Sequence, residues 1–374
     1  MPSTATEDGS EGEAKDPQRP RIAILGVGLI GGSIGMAARS RAGAHVTGYD
    51  TDPRVLDRAL QLGAIDRKAP DIPAALAGAA VAFIAAPVGA LVQTVSDALT
   101  AADGDCVISD VGSTKRMLAQ AVSDERFVGG HPLAGSQTAG VSHSSGDLFD
   151  GARWYLTPSS GTSGVLYERL HRLLVSFGAR PMAIEPDTHD RLMACVSHLP
   201  HVLANLLVSQ AAGLLDADGQ LPAVGPSFRD ATRVAGANSA VWTDIYLSNA
   251  DALIAGIDEF SKRLAEVRGA LAQSDRSALW DWNDRARSEH EALLEAGLLG
   301  GSVHELRVSV PNRPGVIAEI ALALGRAGVN IVDMALSPSP DNSQGVVALW
   351  LHGDEQAARA RELIGALNFP LSGP

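Results

Sequence analysis

The residues whose types and spacing most directly invite chemistry lie near the start of the chain. Arg21-Ile22-Ala23-Ile24-Leu25 runs straight into Gly26-Val27-Gly28-Leu29-Ile30-Gly31, and Asp50 follows a second short apolar run. This pattern can hold the pyrophosphate of a dinucleotide. Gly26 lets the strand turn sharply, Gly28 lets the backbone approach the phosphates, and Gly31 lets the next helix sit close to the strand, with the free amides of its first turn, at Leu29 and Ile30, facing the anion. The context agrees, because Ile34, Ala37 and Ala38 form a helical stripe and His45–Tyr49 reads as the next strand, ending at Asp50. A carboxylate there accepts hydrogen bonds from both ribose hydroxyls and repels a 2′-phosphate, which predicts NAD rather than NADP. Arg54 is either a guanidinium able to hold such a phosphate or, more simply, a solvated charge on a helix surface.

A second group of polar residues needs an explanation. His131 stands in Gly129-Gly130-His131-Pro132-Leu133-Ala134-Gly135-Ser136-Gln137, and its flanking glycines and proline place it on a loop. One histidine alone is usually solvated or satisfied. Here it has company: Ser113 in Asp110-Val111-Gly112-Ser113-Thr114-Lys115, His198 and His201 in Ser197-His198-Leu199-Pro200-His201, and Arg229 and Arg233 in Phe228-Arg229-Asp230-Ala231-Thr232-Arg233.

Three regions must position these groups. From 21 to 185, short β-rich runs (81–85, 106–110, 127–128, 154–156, 181–184) alternate with helical ones. Such alternation means a parallel doubly wound sheet, α/β and Rossmann-type, with ligands at the strand C-termini. Ala86-Pro87-Val88 and the Asp110–Lys115 run, being polar punctuation at two strand ends, should line the cofactor crevice. From 186 to 299 the period becomes helical, with Leu192, Val196, Leu199, Leu203, Leu206 and Leu207 on one face and Leu253, Ile257, Phe260, Leu264 and Val267 on another. Pro200 should kink the first of these helices and free carbonyls near the paired histidines. Such long apolar faces call for a partner surface, so a homodimer is expected. After a flexible joint at Gly300-Gly301-Ser302, residues 303–374 read as βαββα with a short final strand at 369–371.

Composition limits the rest. A chain of 374 residues, 45% hydrophobic and 20% charged, is a multidomain globular protein. Its net charge of −13, with no arginine-lysine cluster to offset it, argues against a nucleic-acid partner. The two cysteines, Cys106 and Cys195, give neither a disulfide framework nor a zinc site, which suits the cytoplasm. Residues 1–20 are acidic and nearly free of large apolar groups, as in a disordered tail, and have no apolar stretch typical of a secretory signal. No segment reaches the roughly 18 to 20 uninterrupted apolar residues of a membrane helix.

The C-terminal region resembles the ACT domain, a small module that binds amino acids at subunit interfaces, on Asn312-Arg313-Pro314-Gly315 and Gly328-Val329-Asn330-Ile331. Asn312, Arg313, Pro314, Gly315 and Asn330 are then the implied effector contacts, and the stunted last strand departs from that pattern. Nearly everything after Arg21 resembles the prephenate/arogenate dehydrogenase family of tyrosine biosynthesis: the dinucleotide loop, Asp110–Lys115, His131-Pro132-Leu133-Ala134-Gly135, the paired histidines, the Arg229–Arg233 run and Trp242. The middle region is then an all-α dimerisation domain.

The resemblance implies an NAD-dependent oxidative decarboxylation of prephenate, with feedback by tyrosine through the ACT-like domain. His131 would accept the hydroxyl proton as hydride leaves, and Ser113 would hold both imidazole and hydroxyl. Arg233 would bind a carboxylate in a bidentate fork, while Arg229 either joins it or pairs with Asp230. His198 and His201 would be hydrogen-bonding groups on the substrate side, at a spacing that also suits a metal, although no third ligand stands at a suitable spacing and the reaction needs none. Ser136 and Gln137 fall on the substrate loop, and a neutral Gln137 favours prephenate over the ammonium-bearing arogenate. Trp242 and Lys115 read as scaffold, an aromatic anchor and a helix-start cation. Two other readings remain: a dehydrogenase of the 6-phosphogluconate or imine-reductase type, and a sensor of dinucleotide and amino acid without turnover.

Overall fold

The computed structural model describes residues 19–135, 138–214, 223–298, 303–339 and 343–372. Ser136, Gln137, the Gly300-Gly301-Ser302 joint and all but the last two residues of the expected tail lie outside them.

Strands β1 (Arg21–Leu25), β2 (His45–Tyr49), β3 (Arg67–Lys68), β4 (Val81–Ile84) and β5 (Val107–Asp110) form a parallel sheet in the order β3-β2-β1-β4-β5. Alternate residues enter two separate cores, Ile22, Ile24 and Phe83 on one face and Ala23, Leu25 and Ile84 on the other. A sheet covered on both sides explains why these strands are apolar throughout rather than alternating. Helix α1 (Leu29–Arg41) covers the first face through Ile34, Ala37 and Ala38; α4 (Leu91–Ala101) covers the second through Leu91, Val95 and Ala98. Helices α2 (Pro53–Gln61) and α3 (Ile72–Leu76) start on the aspartate caps Asp52 and Asp71.

The parallel run stops sooner than the alternation suggested. After α5 (Arg116–Ala121), strands β6 (Gly129–Pro132), β7 (Arg153–Thr157) and β8 (Arg180–Ala183) make a separate sheet in which β6 and β7 are antiparallel and β7 and β8 parallel. A parallel bridge, Ile108↔Phe127, joins it to β5. Helix α6 (Gly164–Ser176) links β7 to β8.

Next come α7 (Pro186–Met193), a π-helical turn (Ala194–His198) and α8 (Leu199–Ala212), in unbroken succession. The backbone adjustment expected at Pro200 therefore takes the form of a wide turn before the proline, a device common at functional sites. This 27-residue stretch, Pro186–Ala212, is by length and composition apolar enough to cross a membrane, which the sequence reading had not found for any segment. It nonetheless carries buried His189, Asp190 and His198. Helices α9 (Pro226–Thr232), α10 (Ser239–Ser248), α11 (Ala250–Ala272) and α12 (Arg276–Leu298) complete the region. Leu199 and Leu253 are buried, but Val196, Leu206, Leu247, Leu264 and Trp280 are exposed on the single chain.

The C-terminal elements β9 (Val303–Pro311), α13 (Val316–Arg326), β10 (Ile331–Pro338), β11 (Gln344–His352), α14 (Asp354–Ala366) and β12 (Leu371–Ser372) give βαββαβ, with sheet order β10-β11-β9-β12. The stunted last strand is real: β12 pairs with β9 over two residues, Leu371↔Val308 and Ser372↔Arg307.

Candidate active site

The dinucleotide cradle is built as its spacing requires. Gly26 has φ +91°, and a Cβ there would stand 2.5 Å from the Ala85 carbonyl oxygen. A Cβ on Gly31 would lie 2.0 Å from the Gly26 carbonyl oxygen, whereas one on Gly28 meets nothing within 4 Å. Two of the glycines are thus needed for the turn and its packing, and Gly28 faces open space where a phosphate can approach. Asp50 Oδ2 accepts from Val27 N (2.8 Å) and Oδ1 from Asp52 N (3.0 Å), which fixes the carboxylate beside the loop. Arg54 is exposed and paired with Asp52 (2.8 Å), the solvated reading of that residue. Leu29 and Ile30 sit half-buried in the first turn of α1, and Pro87 caps a short turn after β4. These residues fit a bound dinucleotide.

His131 is on strand β6, not on a loop. The glycines before it serve close approach: a Cβ on Gly130 would lie 2.5 Å from the Asp110 carbonyl oxygen and 2.8 Å from Ser109 Oγ. Beneath this crossing Asp110 is fully buried, accepting from Gly112 N (2.8 Å), Gly130 N (3.1 Å) and Lys115 Nζ. Lys115 is therefore a buried partner of Asp110 rather than a helix-start charge; burial pulls its pKa down while Asp110 opposes the shift.

His131 Nδ1 lies 2.9 Å from His189 Nε2, and His189 Nδ1 lies 2.8 Å from Asp190 Oδ1. The hold on the imidazole expected of Ser113 is thus supplied at Nδ1 by His189; Ser113 itself is half-buried on the turn after β5. Asp190 also accepts from the amides of Lys115 (2.8 Å) and Arg116 (3.0 Å). Burial alone would raise its carboxyl, but the hydrogen bonds from His189 and those amides outweigh burial and hold it below the usual range. An ionised Asp190 only accepts, so His189 donates from Nδ1 and its Nε2 accepts. His131 must then donate from Nδ1, leaving a lone pair on Nε2. Burial, with the charges of His189, Lys115 and His198 adding to it, pushes His131 well below the ordinary histidine pKa, so it is a neutral acceptor at pH 7.

On the helical side, His201 stacks on Trp242 with ring centroids 3.4 Å apart, and its Nδ1 donates to the Ser197 carbonyl (3.1 Å). Burial lowers its pKa, the Ser197 bond opposes that, and the charge of Arg233 adds to it, which locates that guanidinium nearby. His198 is different. It is buried, edge-on to Trp242, its Nδ1 is 3.2 Å from Asn249 Nδ2, and burial brings its pKa to about 4. His198 is therefore a packing member of the pair, and His201 is the accessible one. Arg229 lies in the last turn of α9 and Arg233 begins the next short turn, both exposed.

Sequence reasoning missed His189, Asp190 and Asn249. The signal for the first two was a His-Asp dyad in α7, without the flanking glycines that drew attention to His131; Asn249 stands between α10 and α11.

The 312–315 loop, expected to contact an effector, has an unexpected neighbour. Gly315, at φ +84°, donates from its amide to the Thr162 carbonyl (2.7 Å), and a Cβ there would meet the Ser160 carbonyl oxygen at 1.9 Å. The loop thus docks on the nucleotide-binding region of its own chain. Arg313 pairs with Glu319, and the Asn330 amide donates to Gln356 Oε1 (2.7 Å).

Comparison with known proteins gives three family models: "Prephenate dehydrogenase, nucleotide-binding domain" over 34–183, "Prephenate dehydrogenase, dimerization domain" over 185–283, and "ACT domain" over 304–358. A prephenate dehydrogenase of Bacillus subtilis is 32% identical, the match covering 92% of this chain and 95% of that protein. A cyclohexadienyl dehydrogenase of Zymomonas mobilis is 33% identical over 68% of this chain and 89% of its own length. Among solved structures, the A. aeolicus prephenate dehydrogenase in complex with hydroxyphenyl propionate and NAD⁺ is 27% identical with a TM-score of 0.70, over 75% of this chain and 100% of that one.

Proposed function

The chain belongs to the prephenate dehydrogenase family, and from that membership and the geometry around His131 we propose that it oxidises prephenate to 4-hydroxyphenylpyruvate and CO₂. The enzyme is an NAD-dependent dehydrogenase. The observation that carries the substrate reading is the Asp190–His189–His131 chain, which ends in an unshared pair on His131 Nε2.

The bound nicotinamide supplies the hydride acceptor. Nε2 of His131 accepts the C4 hydroxyl proton as hydride leaves C4, so that the oxygen becomes a carbonyl. Electrons of the breaking bond to the ring carboxylate then fill the ring, CO₂ departs, and the proton returns from Nε2 to the phenolic oxygen. The two substrate carboxylates require cations in a protein of net charge −13, and Arg233, with Arg229 beside it, supplies them. His201, held by Trp242, presents its other nitrogen on the same side. Ser113 would support the hydroxyl. General-base assistance of this type contributes about 10²- to 10⁴-fold.

The exposed apolar residues of α8, α10, α11 and α12 support a homodimer through the helical region. Tyrosine as the effector of the ACT domain follows from the reaction's place in tyrosine biosynthesis. An exposed Cys195 and a buried Cys106, both free, suit a reducing cytoplasm.

The test measures NADH formation with prephenate and NAD in wild type and His131→Asn, with arogenate and NADP arms. Turnover that collapses in the variant while NAD still binds supports the assignment; higher kcat/KM with arogenate overturns the substrate choice read from the neutral Gln137. A wild type that oxidises neither compound leaves the sensor reading.

A further inference from the structure

The glycine run does not end where the dinucleotide motif does. Gly32 follows Gly31, and a Cβ there would stand 2.3 Å from Ser144 Oγ and 2.9 Å from Val141 Cγ2. It forms a hollow on the first turn of α1, filled by the segment that joins β6 to β7. Ser144 Oγ lies 3.0 Å from the Leu29 carbonyl oxygen and 3.3 Å from that of Gly28. Ser145 N donates to Ser33 Oγ (3.0 Å), which donates in turn to Leu29 O (2.8 Å). At the far end of the helix Arg41 holds Asp147 (2.6 Å), Asp150 and the Phe177 carbonyl (2.8 Å). Residues 141–150 are therefore clipped to the cofactor helix at both of its ends.

The same segment reaches the catalytic strand through the core. Phe149 is fully buried with its ring 5.0 Å from Trp154, and Trp154 pairs with Pro132, the neighbour of His131. Tyr155 pairs with His131 itself and meets His189 edge-on at 5.6 Å. Closely packed side chains transmit displacement instead of absorbing it.

We infer that Gly32 and Ser144 are positioning residues: the seating of Ser144 in the Gly32 hollow sets the separation between the dinucleotide-holding turn and the strand of His131, so that binding at the glycine loop is felt at β6 and β7. Neither residue touches a reacting atom. Hydride transfer is sensitive to that separation, since near-attack geometry requires reacting atoms about 3 to 3.5 Å apart.

The experiment follows amide hydrogen exchange of the full chain with and without NAD, in wild type, Ser144→Ala and Gly32→Ala, alongside steady-state kinetics. In the wild type NAD slows exchange both at 25–33 and at 129–133 with 152–157. In Ser144→Ala the first effect persists and the second is lost, while kcat with prephenate falls about fivefold and KM for NAD stays within about twofold, the scale of one hydrogen bond. Gly32→Ala, which must expel Ser144, shows the same split more strongly; Ser144→Ala keeps the test intact if that variant misfolds. NAD protection at β6 and β7 that survives Ser144→Ala, or that is absent from the wild type, overturns the inference, as does loss of NAD protection at both regions together. The kinetic arm rests on the prephenate reading, but the exchange arm uses only NAD. Failure of turnover with coupled exchange intact therefore counts against the substrate and not against the positioning role.

Discussion

Replacing His189 by leucine tests the hydrogen-bond chain that orients His131. The substitution removes the acceptor 2.9 Å from His131 Nδ1 and leaves that N–H enclosed without a partner. An unsatisfied buried donor costs about 1 to 3 kcal/mol. The imidazole escapes the penalty by moving its proton to Nε2, and the nitrogen that faced the substrate as an acceptor becomes a donor. At about 1.4 kcal/mol per decade this penalty converts to a loss of roughly fivefold to a hundredfold in kcat. The upper limit is the effect of removing the base, about 10²- to 10⁴-fold, expected for His131→Asn.

KM for NAD should change less than about twofold, because the chain at Gly26–Gly31 does not touch His189. His189→Gln should recover part of the loss, since its side-chain carbonyl can accept from Nδ1. Initial rates of NADH formation across substrate concentration measure all of these, and the rise in Tm on adding NAD checks folding. Wild-type kcat in His189→Leu, together with a deep loss in Ser113→Ala, would refute the reasoning and return the hold on the imidazole to Ser113.

Arg233→Ala should raise KM for prephenate roughly tenfold to a hundredfold with a smaller change in kcat, from loss of a charge-assisted bond of about 1.5 to 3 kcal/mol; an unchanged KM would move the carboxylate grip elsewhere. Stability should fall on acidification, because burial lowers His131, His189 and His198 from 6.5, the last to about 4, so the unfolded chain binds protons that the folded one refuses. That contribution is whole above pH 6.5 and declines below it, His198 alone accounting for about 3 kcal/mol by pH 4; a urea midpoint that is flat or rises from pH 7 to 4.5 contradicts it. Gly315→Ala should undock the effector loop from Ser160, keeping basal kcat within about twofold while abolishing or displacing the tyrosine response. Tyrosine inhibition that persists in this variant and in a deletion of 303–374 would locate tyrosine at the active site as a product analogue.

What the sequence made legible was local in its physics. The three glycines and Asp50 act over one strand, one turn and one helix start, so their spacing carries the geometry almost completely. The C-terminal order of elements was readable for the same reason, since each strand and helix keeps its own period. The His131–His189 contact spans 58 residues and two regions, and no period or spacing encodes it. Lys115 was legible as scaffold but its partner was not: only the passage of β6 across the end of β5 encloses it with Asp110.

The glycine pair before His131 illustrates the limit most sharply. Glycine is useful either for backbone freedom or for lack of a side chain, and a sequence does not separate the two. Gly129 and Gly130 have no positive φ, so freedom is not their use here. A Cβ on Gly129 would meet Thr157 Oγ1 at 2.3 Å, and one on Gly130 the Asp110 carbonyl oxygen at 2.5 Å, so space is. The distinction changes the chemistry expected of the site. A histidine on a glycine loop would need substrate to order it, whereas one on a paired strand, with His189 and Asp190 behind it, is already held in the tautomer that accepts. Sites carried on strands are held more closely than sites on loops, and that rigidity is what a positioned proton acceptor requires.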